Sequence, residues 1–171
     1  MSIYWIRKGA PSSAATKTSA TKTYRDVGSQ LRTRTKVYYA RDVGMRSVVT
    51  LRESQSVAEA RDFFFSTRFR YLPVLDSHDR LSGILSDREL LRVFCVNDAV
   101  DSGELRVGEV MDQHVLVAAP SAELGDLAKM MLEYKKEAIP LVDERYQLQG
   151  ILTSSDILRV MIIPGPAESW A

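Results

Sequence analysis

Two short stretches carry the residue types from which a binding site could be made. Gly150-Ile-Leu-Thr-Ser-Ser-Asp156 and Gly83-Ile-Leu-Ser-Asp-Arg-Glu89 share one pattern: glycine, two apolar residues, a hydroxyl, and an acid three residues beyond it. Where an apolar strand runs into a helix, the first helical N–H groups have no partner inside the helix. The Thr153 or Ser86 hydroxyl can cap them, and the Asp156 or Glu89 carboxylate can accept a bond in return. That capping box is complete without a ligand. The same geometry also suits one. Spare N–H groups and the helix dipole favour an anion such as phosphate. A carboxylate one helical turn on can accept two hydrogen bonds from a vicinal diol, as on a ribose. Gly83 and Gly150 would let a ring or a backbone approach closely.

The elements that must position these residues are also written twice. Residues 48–93 align with 115–160 without a gap, at an offset of 67, with eleven of forty-six positions identical. Each copy reads as a strand, a helix, a strand, a turn, a strand and a helix. In the first copy these are Val48–Leu51, a helix after Ser56 with Glu59 at capping-box spacing, Tyr71–Asp76, the turn Ser77–Arg80, Leu81–Ser86 and a helix over Asp87–Val96. In the second they are Val115–Ala118, a helix opened by Pro120-Ser121, Ala138–Asp143, the turn Glu144–Gln147, Leu148–Thr153 and a helix over Ser154–Ile163. Val57, Ala60, Phe63 and Phe64 share a helical face, as do Leu124, Leu127, Met130 and Met131. The run Phe63-Phe64-Phe65 reads as core. Units of about fifty residues bury a core poorly alone. The two copies are therefore expected to pack together about a pseudo-twofold axis, an α/β (α+β) arrangement of β-α-β-β-α units.

Composition bounds the rest. At 171 residues the chain is one domain or two small ones, with 45% hydrophobic residues and no apolar run of membrane-spanning length. The single cysteine, Cys95, has no disulfide partner in the chain and reads as buried and inert, which fits a reducing, cytoplasmic compartment. Net charge of +1 hides an asymmetry: residues 1–40 hold eight Lys or Arg and one acid. Residues 9–23 lack large apolar residues and read as a mobile linker. This basic extension suits solubility or a cloning remnant; nucleic-acid contact is the lesser reading, and an organelle transit peptide stays open. The hydrophobic end at Val37-Tyr38-Tyr39 is expected to pack on the body. His78 and His114 stand far apart with no cysteine partner and make a poor metal site. No nucleophile–base pattern marks the chain as an enzyme.

Taken together, the repeats resemble a tandem pair of cystathionine-β-synthase-type (CBS) domains, a Bateman module. The resemblance rests on Tyr71–Asp76 with Gly83–Glu89, on Ala138–Asp143 with Gly150–Asp156, and on Val43-Gly-Met45 and Val110-Met111, which look like the segment leading into each repeat. It covers about residues 41–163. It implies an extension over 1–40, repeats at 41–97 and 110–163, a linker over 98–109 and a tail over 164–171, whose Trp170 reads as a loose end. It implies a regulatory homodimer that binds AMP, ADP, ATP or S-adenosylmethionine between the repeats and signals to an enzyme or transporter, with no catalytic cofactor, no metal and no membrane. By resemblance Thr153 would meet phosphate and Asp156 ribose, with Ala138, Ile139 and Pro140 against adenine and His114 and Val115 giving main-chain contacts. The matching set in the first repeat is Ser86, Glu89, Tyr71, Leu72 and Pro73, with Ser47 and Val48. Arg88, Arg70, Lys135 and Lys136 are candidate phosphate partners. Glu89 departs from the aspartate the family prefers, which favours Asp156 as the ribose site and a capping role for Glu89. A ligand-free dimerisation module is the alternative reading.

Overall fold

The computed structural model describes residues 3–7, 37–96 and 105–162. The expected linker over 9–23, the polar stretch 97–104 and the tail from 163, Trp170 included, lie outside the described residues. The elements run β1 (Ile3–Arg7), α1 (Arg41–Gly44), β2 (Leu51–Arg52), α2 (Val57–Ser66), β3 (Tyr71–Leu75), β4 (Leu81–Ser86) and α3 (Asp87–Val96). They continue through α4 (Val107–Val110), β5 (His114–Ala118), α5 (Leu124–Tyr134), β6 (Ala138–Val142), β7 (Leu148–Thr153) and α6 (Ser154–Ile162). One sheet has the order β2-β3-β4, the other β1-β5-β6-β7. In each repeat the first strand runs parallel to the second and the hairpin is antiparallel. The expected two β-α-β-β-α units are therefore present.

Local chemistry explains the boundaries. Ser56 Oγ accepts the Glu59 N–H and the Glu59 carboxylate accepts the Ser56 N–H, the reciprocal bonds that open α2. The two hairpin turns are built alike. Asp76 accepts the N–H groups of His78 and Arg80, and Asp143 those of Arg145 and Gln147. Asp79 and Tyr146 hold equivalent left-handed positions at φ 59° and 61°. Arg80 and Gln147, partners at the repeat offset, also bridge to each other, which sets the pseudo-twofold axis beside the turns.

Three apolar clusters form the core. The first gathers Leu51, Val57, Ala60, Phe64, Leu72, Val74, Leu85 and Leu90 of the first repeat, and the second Leu116, Leu124, Leu127, Met130, Ile139, Leu141 and Leu152 of the second. The third joins Leu81 and Ile84 to Val115, Val117, Ala138 and Ile151 between the repeats.

The lead-in segments are exchanged. Ala40, with Tyr38 and Val43, packs into the second repeat's cluster, and α1 lies on β7 and α6. Val107 and Met111, with Leu105, pack into the first repeat's cluster. Backbone bonds fasten both crossings: the Ala40 and Arg41 N–H groups donate to Ala122 and Pro120, those of Val107 and Gly108 to Gln55 and Glu53. Part of the expected linker, residues 107–109, is thus helix α4. Gly150 explains why one crossing can be so close. A Cβ there would meet the Gly44 carbonyl oxygen at 2.2 Å and the Met45 Cα at 3.2 Å. Gly83 is filled in the same way by the Met111 side chain. The motif glycines make room for lead-in segments rather than for a ligand ring.

Several expectations need correction. Residues 48–50 join no ladder, and only Leu51–Arg52 pairs. Its counterpart β5 is longer because β1 lies antiparallel along all of it, from Ile3 opposite Ala118 to Arg7 opposite His114. Residues 3–7 of the extension therefore belong to the body. The α5 helix starts at Leu124 rather than at Pro120-Ser121, with Glu123 as its N-cap residue. Phe65 is 77% exposed, so the Phe63–Phe65 run is only partly core. Cys95 is exposed, on the outer side of α3.

Candidate functional site

The exchange of lead-in segments decides which residues meet. The larger cavity, about 570 Å³, lies beside the β7–α6 junction of the second repeat, at Thr153, Ser154 and Ser155. Facing it from the first repeat are Arg46, Ser47, Val48 and Val49 of the lead-in and Arg68 through Leu72 before and within β3, and Glu137, Ile151 and Leu158 of the second repeat complete the lining. The smaller, about 170 Å³, is the pseudo-symmetric counterpart. There Ser86, Arg88 and Glu89 face Asp112 and Lys135 through Ala138.

The site residues expected from the sequence are thus regrouped. Thr153 lies with Ser47, Val48, Tyr71 and Leu72, not with Ala138 and His114. Ser86, Arg88 and Glu89 lie with Ala138. Pro73, Ile139 and Pro140 sit within the paired strands, opposite Ile84, Leu152 and Ile151, and line neither cavity. His114 and Val115 line neither as well; Val115 is in the central cluster.

Asp156 is 6% exposed at the first turn of α6. Its Oδ2 accepts the Thr153 N–H at 2.8 Å and the Thr153 hydroxyl at 2.6 Å, while its own N–H donates to Thr153 Oγ1. Arg46 closes the arrangement. Its Nη1 donates to Oδ1 at 3.1 Å and its Nη2 to Oδ2 at 3.0 Å, across 110 residues of sequence. Burial pushes the Asp156 carboxyl up, but the bonds from Arg46 and Thr153 outweigh it and hold the group below the usual carboxylate range.

Glu89 repeats the capping part alone. Its carboxylate accepts the Ser86 N–H and hydroxyl, each at 3.0 Å, and its N–H donates to Ser86 Oγ. Gln113 stands where the offset places an Arg46 equivalent, and its side chain donates to the Gly108 carbonyl instead. Lys136, a candidate phosphate partner, is held by Asp112 at 2.6 Å. Arg70 pairs loosely with Asp87 at 3.6 Å. Arg68 makes no ion pair among the described residues.

Tyr71 and Glu137 line both cavities, and the Tyr71 hydroxyl donates to the Glu137 carboxylate. Burial, with Glu137 beside it, pushes the phenol up to about 12.

Sequence reading missed Arg46, Arg68 and Phe69. Arginines at exposed lead-in positions give no periodic signal, and Arg46 matters only because its segment crosses to the other repeat. No group of three or more potential metal ligands occurs among the described residues, and no described helix is long and apolar enough to cross a membrane.

Two copies of a β-α-β-β-α unit with exchanged lead-in segments, and a cavity lined by both, are the arrangement of a tandem domain pair. The CBS domain family model matches residues 40–95 and 107–163, and the chain belongs to that family. It is 29% identical over 129 residues to inosine-5'-monophosphate dehydrogenase of Methanocaldococcus jannaschii, covering 75% of this chain and 25% of that enzyme. The chain spans less than half the length of the curated relatives it matches first. Among solved structures it resembles CBSX2 in complex with AMP, at 29% identity and a TM-score of 0.65, covering 73% of this chain and 96% of that one. The CBS domain pair of protein MJ0100, solved with 5'-methylthioadenosine and S-adenosyl-L-methionine, shares the fold at 24% identity and a TM-score of 0.66, covering 74% and 97%.

Proposed function

We propose that this chain is a regulatory module that binds an adenosine compound in the cavity beside Asp156. The observation that carries the reading is the cavity's make-up. A threonine hydroxyl and three arginines, Arg46, Arg68 and Arg70, line a space of about 570 Å³, and Arg46 reaches from that lining to the buried Asp156 carboxylate, which could take a ribose diol. The volume is within the range of sites for ligands of nucleotide size. The apolar wall of Val48, Leu72 and Ile151, with Phe69 at its rim, suits a base. The similar CBSX2 structure, solved in complex with AMP, supports the ligand class. The smaller cavity, with Lys136 tied to Asp112 and Glu89 tied to Ser86, is the capping box and stays empty.

Ligand would alter how the two repeats close on each other, and a partner enzyme or transporter would read the change, here without any catalysis by this chain. Isothermal titration calorimetry with AMP, ADP, ATP and S-adenosylmethionine tests the reading. Saturable heat is expected with at least one compound; no binding by any of them at millimolar concentration contradicts it.

The module would act as a homodimer. Exposed apolar residues fall at equivalent places in the two repeats, Phe65 with Leu132 and Leu91 with Leu158, and a second copy related by a twofold axis would cover such a duplicated surface. The same observation favours the second reading, a dimerisation module that needs no ligand, in which no adenosine compound changes the melting temperature. Nucleic-acid binding through the basic residues of 1–40 would be lost on replacing Lys17, Lys22, Arg25, Arg32, Arg34 and Lys36 by neutral residues, which leaves β1 and Ala40 in place.

A further inference from the structure

We infer that Arg46 is a latch on the ribose-binding carboxylate, and that it makes the Asp156 site selective for phosphorylated nucleosides over neutral or cationic ones. The inference rests on the nucleotide reading of this cavity and goes beyond it by naming the ligand charge and the residue that sets it.

A ribose diol is held by donating both hydroxyls to a carboxylate. Here Oδ2 accepts from Arg46 and twice from Thr153, and Oδ1 accepts once, from Arg46, which leaves one lone pair where a diol needs two acceptor sites. The Thr153 bonds belong to the cap and need not move. The Arg46 bonds must yield. Asp156 is buried while the Arg46 side chain is 44% exposed, and Asp156 is its one ion-pair partner among the described residues. The guanidinium already lines the cavity, so it can turn from Asp156 toward a ligand there. What decides the outcome is what it finds there.

A ligand without an anion replaces a charge-assisted, two-pronged ion pair with neutral hydroxyl bonds and leaves a cation unpaired beside Arg68 and Arg70. A sulfonium adds a further positive charge to that cluster. A phosphate gives the displaced guanidinium a planar, two-pronged partner of the same kind it lost. Release of Asp156 and capture of the phosphate are then one motion. The smaller cavity has no such device, since Gln113 replaces Arg46 and faces the Gly108 carbonyl.

The test is calorimetry with adenosine and with ATP on the full chain and its Arg46→Gln variant. ATP should bind the parent chain at least about tenfold more tightly than adenosine. In Arg46→Gln adenosine should tighten by about three- to tenfold, because its competitor is gone, while ATP weakens by a similar factor. Arg46→Lys, which keeps the charge and loses the fork, should fall between the two. If adenosine binds Arg46→Gln no more tightly than the parent, or if both ligands shift in the same direction, the latch is wrong. If neither compound binds any of the three proteins, the nucleotide reading of the cavity fails and the latch with it.

Discussion

The Tyr71 hydroxyl donates to the Glu137 carboxylate, tying the first residue of β3 to the residue before β6 on the wall shared by both cavities. Burial and the adjacent carboxylate raise the phenol to about 12. The folded state therefore favours the protonated phenol. Its contribution to stability is complete below the ordinary tyrosine value of about 10 and is lost as pH rises through the folded value. Ultraviolet titration should show one tyrosine ionising well above the others, and that late step should be missing in Tyr71→Phe. An unchanged titration curve in the variant would contradict the bond.

Asp156 has the opposite sign. Its folded value lies below the ordinary carboxylate range, so its contribution is present above the unfolded value, about 3.9, and disappears as pH falls through the folded one. Urea unfolding across an acid series should show Asp156→Asn less stable than the parent by about 1–3 kcal/mol at neutral pH. The gap should close toward the most acidic end. A gap that does not change with pH would mean that the charge is not what the substitution removes.

Gly150 and Gly83 separate two kinds of close approach. A methyl at Gly150 collides with the backbone of Gly44, whose N–H donates to Ala40, itself fastened to Ala122 of the second repeat. At Gly83 it meets only the Met111 side chain. Gly150→Ala should lower stability by about 1–3 kcal/mol or more, and Gly83→Ala by less. Equal losses in chemical denaturation would contradict the account of the glycines as room for the lead-in segments.

The fold was legible because the sequence repeats its signals. Ser56 with Glu59, the two Gly-x-x-hydroxyl-x-x-acid junctions and the two Asp-led turns each depend on neighbours in sequence, and each forms as expected. The site was legible only in part. The capping bonds of Thr153 with Asp156 and of Ser86 with Glu89 are local and form as read. Their companions depend on which repeat each lead-in segment packs against. A sequence read one repeat at a time assigns Ser47 and Val48 to Ser86, whereas the crossing brings them to Thr153. Nothing local marks Val48–Thr50 as lacking a strand partner. The strand that completes the other sheet, β1, comes from residues 3–7, far from β5 in sequence.

The duplicated exposed positions predict assembly. Phe65→Glu combined with Leu132→Glu should shift sedimentation from a dimer toward a monomer while the helical circular dichroism signal stays near that of the parent. A monomeric parent chain, or a dimer that withstands these changes and those at Leu91 and Leu158, would remove this surface as the contact.

The proposed ribose carboxylate is Asp156, held by Arg46 beside the cavity that Arg46 and Ser47 line, and not Glu89. Titration calorimetry of ATP into Asp156→Ala and Glu89→Ala tests it most directly. The account predicts that Asp156→Ala loses at least about tenfold in affinity while Glu89→Ala binds like the parent. Loss of binding in Glu89→Ala with Asp156→Ala unaffected would contradict it.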